Sequence, residues 1–175
     1  MLGCFIVSDI SSKHNILKTV YSAFIVPHLF YCNIVWGCAN VIKLNIILKL
    51  QKKALRLCTG SHYLAPSAPI FHRLNMLTIV DIHKFQTANF MYRVKNEIVP
   101  SNLMCMFSSN NLIHNYNTRS AGQFHRWRIR TELENHSIRH AGPKIWNELG
   151  SKICNCTTIS AFKILLKKEI ISSYA

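Results

Sequence analysis

The sequence predicts a mainly α fold: a helical bundle followed by a small C-terminal α+β unit with a short strand or hairpin near 113–140. Three observations carry this. Apolar residues recur at helical spacing over most of the chain. A Ser/Asn-rich stretch at 108–123 interrupts the pattern, and a period-two alternation follows at Phe124–Arg130. The 175 residues are 49% hydrophobic, ample for a packed core. The expected organisation is a ragged start over 1–13, a helical unit over 14–107, a polar linker over 108–123 and a small unit over 124–175.

A first helix is expected from Asn15 to Trp36, kinked or interrupted at Pro27, with Gly37 as its stop. A second, Lys43 to Cys58, is the most informative. At 100° per residue Lys49, Lys52, Lys53 and Arg56 share one narrow face, while Leu44, Ile47, Leu48, Ala54, Leu55 and Cys58 lie opposite. Gly60 fits its C-terminal cap. A short helix follows around Ile70–Leu74. Thr78 and Asp81 make a capping-box-like start for a helix over Ile79–Asn96, with Ile79, Ile82, Phe85 and Phe90 on one flank. Leu103–Phe107 reads as one more helical turn.

Within Phe124–Arg130, Arg126, Arg128 and Arg130 alternate with His125, Trp127 and Ile129. As a strand, same-face arginines would repeat about every 6.6 Å, a spacing suited to a phosphate backbone or to a charged sheet edge. Gly142-Pro143 is expected to open another helix, with proline at its first position. Thr158 would cap a last helix over Ile159–Ser172, buried along Ile159, Phe162, Leu166 and Ile170. Its Lys163, Lys167 and Lys168 lie outside that stripe.

Charge narrows the function. Lys and Arg total 21 against 7 Asp and Glu, a net charge of +14. Such a field attracts polyanions: nucleic acid or an acidic membrane face. The only aspartates are Asp9 and Asp81. Two-metal phosphoryl transfer needs clustered carboxylates, so the chain is expected not to be an enzyme on its own. No phosphate-loop, dinucleotide or HExxH motif occurs. Cys154/Cys156 and His136/His140 are spaced unlike a structural zinc site, so a zinc-stabilised module stands as a distant third reading and no metal, cofactor or small-molecule substrate is assigned. Seven cysteines without a secretory signal read as reduced thiols of an intracellular protein, nuclear or cytoplasmic. Thr19–Ile42 carries no formal charge over 24 residues, so a membrane-anchored basic protein with one span there is the alternative. Pro27, His28, Asn33 and Asn40 count against it.

Six segments taken together resemble a known family. They are YSAFIVPHLFYCNIVWG at Tyr21–Gly37, LQKKALRL at Leu50–Leu57, LTIVDIHKFQTANFMY at Leu77–Tyr92, YNTR at Tyr116–Arg119, SIRHAGPKIWNEL at Ser137–Leu149 and SAFKILLKK at Ser160–Lys168. Their order and spacing are similar to the region after the polymerase palm in non-LTR (LINE-type) retrotransposon reverse transcriptases. The resemblance covers roughly residues 14–174. It implies a thumb-like helical unit that cradles an RNA/DNA template–primer, with the missing palm as a possible further partner. In that family paired aspartates on the palm make the bond; no such loop occurs here, so no catalytic residue carries over. The nucleic-acid role is carried onto Lys49, Lys52, Lys53 and Arg56. The alternating Arg126, Arg128 and Arg130 are added on their own pattern.

Overall fold

The computed structural model describes residues 13–113 and 119–174. Helix dominates, as expected. The described residues form two compact units. One comprises residues up to Asn33, Asn40–Ile82 and the segment from Ile170; the other comprises Ile34–Ala39 and His83–Glu169.

In the first unit, residues 13–20 are helical (α1) and run into a π-turn at Tyr21–Ile25, followed by α2 (Val26–Phe30). The π-turn answers Pro27. Proline offers no N–H, and Val26 N–H donates five residues back to the Tyr21 carbonyl, so the helix passes Pro27 unbroken. The break falls instead at Tyr31–Cys32, where Cys32 takes a left-handed φ of 49°. Its cause is beside it. The Asn33 side-chain amide donates to the Leu29 carbonyl at 3.0 Å, the acceptor that the residue 33 backbone N–H would use in a continuing helix. The interruption expected at Pro27 is thus corrected to Cys32, and Asn33 begins α3 (Asn33–Trp36), which passes into the second unit's segment.

α4 (Val41–Thr59) is locally specified at both ends. Asn40 accepts from Ile42 N–H at 2.9 Å. Gly60 sits left-handed at φ 60°, and Ser61 N–H reaches the Arg56 carbonyl at 3.0 Å. α5 (Ala68–Leu74) follows, and Thr78 opens α6 (Ile79–Lys95) by accepting from Asp81 N–H at 3.3 Å. Tyr21, Leu55, Cys58, Ile70 and Phe71 form the core, with Tyr174 packed edge-on against Phe71.

Gln51 is the polar pin of this unit. Its side chain is 3% exposed and donates to Leu77 O at 2.9 Å and to the Tyr21 hydroxyl at 3.2 Å. It also accepts from Ile79 N–H at 3.0 Å. One side chain thereby satisfies the buried backbone on both sides of the α6 start.

The second unit holds the rest of α6, then α7 (Ser101–Met104), α8 (Asn110–Ile113), α9 (Glu132–His136), α10 (Ile138–Asn147), α11 (Ser151–Cys154) and most of α12 (Ile159–Ser172). A chain of ring contacts runs Phe90–Phe107–Phe124–Trp146–Phe162–Tyr92, with centroids 4.6–6.3 Å apart. Lys95 closes one side, its ammonium 5.6 Å from the Trp146 ring and 2.9 Å from Cys154 O.

Two expectations are corrected here. The strand at Phe124–Arg130 is extended chain with a single antiparallel bridge, Ser109 to Phe124, and no sheet forms among the described residues. Its backbone is claimed elsewhere: Asn147 bonds both the Phe124 N–H and its carbonyl, at 3.2 and 2.9 Å, and His125 N–H donates to Ser108 O at 2.7 Å. The described part of 108–123 is likewise knitted into this unit, with Asn110 bonded to Ser120 and His125. Secondly, Gly142-Pro143 does not open α10 but lies inside it, four and five residues past the Ile138 start. Gly142 has no Cβ there; one would come 2.7 Å from Met91 Sδ. That lets the Gly-Pro turn press against α6.

Candidate nucleic-acid interface

The sequence-predicted cations fall into two sets, one in each unit. On α4, Lys49 and Lys53 are exposed and Lys52 is half-buried, on the side away from Leu55 and Cys58. No carboxylate pairs with any of the three among the described residues. Asp81 is the one acidic residue described in this unit, and Thr78 and Tyr174 hold its carboxylate with their hydroxyls. Among the described residues no ion pair offsets the charge of the α4 lysines.

Arg56 stands apart from its expected companions. Its Nε and Nη2 both donate to the Ala65 carbonyl, at 3.0 and 2.8 Å. The guanidinium staples the loop after α4 to the helix instead of lying free beside the lysines. The same outward face carries an apolar stripe that the charge pattern did not announce. Ile42, Ile46, Leu50 and Leu57 recur at helical spacing and are each more than half exposed.

In the second unit, Arg126, Arg128 and Arg130 are all exposed, and so is Trp127 between them, while His125 and Ile129 are half-buried. Trp127 is 44% exposed. It touches the His125 ring edge-on at 4.9 Å, and the Arg139 guanidinium sits 5.4 Å from its ring centre.

Beside Trp127 lies a cavity of about 250 Å³ at the N-terminal end of α10. Its walls include Trp127, Arg128, Glu134, Ser137, Arg139 and His140. Ser137 is extended and sets the helix start at Ile138, which puts Arg139 and His140 in the first turn. His140 is 7% exposed, and neither ring nitrogen has a hydrogen-bond partner. Burial first, then the charges of Arg126 and Lys144, pull its pKa below the ordinary imidazole value, with Glu134 opposing. Sequence reasoning considered His140 only as a metal ligand and left Arg139 out. The signal was the true start of α10, hidden by the Gly-Pro pair.

Among the described residues no group of three or more His, Cys, Asp or Glu comes together as a metal site, and no helix is long and apolar enough to cross a membrane. The YNTR segment lies largely outside the described residues, as does Cys4. Comparison with protein-family models, with curated proteins and with solved structures finds no match to the chain.

Proposed function

We propose that this chain is the thumb and post-thumb part of a non-LTR retrotransposon reverse transcriptase, contacting an RNA/DNA template–primer without itself holding the polymerase active site. The observation that carries the reading is the lysine row of α4, Lys49, Lys52 and Lys53, without an ion-pair partner among the described residues and within one of six segments that resemble that family in order. A duplex backbone is a regular row of negative charge, and unpaired lysines on one helix face match it without reading sequence. The exposed Arg126, Arg128 and Arg130 add a second row. The scarcity of carboxylates fits a chain that binds while a palm elsewhere makes the bond.

The apolar stripe of Ile42, Ile46, Leu50 and Leu57, with Phe24 and Tyr31 also exposed, suits a covering surface from such a palm. The site of action is intracellular, nuclear or cytoplasmic. The uncharged stretch Thr19–Ile42, the basis of the membrane-anchor reading, is divided among α1, the π-turn, α2, α3 and the start of α4, with a turn at Tyr31–Cys32.

The test is equilibrium binding to a blunt RNA–DNA hybrid over a range of salt. Binding that weakens linearly in log K against log salt, by about 0.9 per neutralised phosphate, is the expected result. Absence of binding at low salt overturns the proposal.

A further inference from the structure

The cavity at the start of α10 is not explained by a row of backbone contacts. We infer that it receives one unpaired nucleotide of a nucleic-acid strand, its base against Trp127 and its phosphate between Arg128 and Arg139. The inference rests on the nucleic-acid reading above and adds a second mode of binding to it.

Four features define the ligand. First, the volume of about 250 Å³ falls just below the roughly 300–1,000 Å³ usual for drug-sized ligands, which fits one ring system with an anionic group attached. Second, Trp127 offers a nearly half-exposed indole already backed by the Arg139 guanidinium; aromatic and guanidinium planes are the stacking platforms that single-stranded bases use. Third, the first turn of the ten-residue α10 lines the site, so the positive end of its dipole and two guanidinia favour an anion. Fourth, Glu134 rules against a bare phosphate, which it would repel. A base carries amino or ring N–H donors that a carboxylate can accept.

His140 also lines the cavity and is 7% exposed. A neutral imidazole always carries one N–H and one acceptor nitrogen, and both are buried here without a partner. Groups in that state are costly unless a ligand or water completes them. Thr87 Oγ1 and Asn89 Oδ1 of the same unit are likewise buried without a partner, whereas Gln51 makes three bonds.

The experiment compares two probes on the full chain: a blunt RNA–DNA hybrid, and the same hybrid with a four-nucleotide single-stranded overhang. The overhang should bind more tightly. Trp127→Ala should weaken the overhang probe about 5- to 150-fold, the range for removal of one stacked base, and leave the blunt probe unchanged. Trp127→Phe should retain most of the gain, and Arg139→Gln should lose it with the indole intact. Circular dichroism melts of each variant separate impaired binding from impaired folding, and Trp127→Phe carries the comparison if the alanine variant does not fold. Equal binding of both probes removes the cavity proposal and leaves the duplex reading standing. Failure to bind either removes both. Binding of inorganic phosphate or a phosphoserine peptide more tightly than the overhang assigns the cavity to another ligand and overturns the inference.

Discussion

Gln51 and His140 are both buried polar side chains, one in each unit, and their surroundings differ completely. Gln51 bonds a tyrosine hydroxyl, a carbonyl and an amide across the α6 start. His140 bonds nothing with its ring and lines a cavity among arginines. The first arrangement is structural: its bonds end on backbone that would otherwise be buried without partners. The second leaves both ring nitrogens buried without a partner, in a residue that lines a cavity with Arg128, Arg139 and Glu134. Burial alone therefore says little about a polar residue; the accounting of its bonds tells support from recognition.

The largest way to break this comparison is Gln51→Leu. Leucine fills similar space but strands Leu77 O and Ile79 N–H, so denaturant unfolding should show a loss of about 2–4 kcal/mol. A change below about 0.5 kcal/mol would mean that water replaces Gln51 easily. Arg56→Ala should cost less, about 1–2 kcal/mol, because its two bonds to Ala65 are partly solvated and the carbonyl can meet water. Arg56→Lys should recover only part of this, since an ammonium cannot reproduce the fork.

The smallest stability effect comes from His140. Its folded pKa lies below the free value of about 6.5, so below that value the unfolded chain binds more protons. Its contribution is fully present above about pH 6.5 and is lost as pH falls through the folded pKa. His140→Phe should flatten the pH dependence of the melting temperature between pH 7 and 5. An unchanged slope would show that other groups set it.

Legibility followed the range of the forces involved. The Gly60 cap of α4, the Thr78–Asp81 start of α6 and the stripe of α12 depend on neighbours within a turn and were readable, whereas the Asn40 cap, which moves the α4 start from the expected Lys43 to Val41, was not read. The basic face of α4 was readable too, because periodicity alone sets it. Arg56 shows where that ends: the pattern placed it with the lysines, while a carbonyl nine residues on claims it. Phe124–Arg130 alternates like a strand but, among the described residues, pairs only through one bridge at Phe124, whose backbone Asn147 also bonds. The pocket was hidden for a similar reason. Gly142-Pro143 looks like a helix start locally, and only its packing on Met91 of α6 shows why it lies inside one.

The central claim is that unpaired lysines on α4 hold a nucleic-acid backbone. Its most direct test is the salt dependence of hybrid binding for the wild-type chain and for Lys49→Ala/Lys52→Ala/Lys53→Ala, a variant that should melt within about 0.5 kcal/mol of wild type because none of these side chains makes an ion pair among the described residues. The account predicts a log K against log salt slope shallower by up to about 0.9 for each duplex phosphate deprived of its lysine. An identical slope in the two proteins would contradict it.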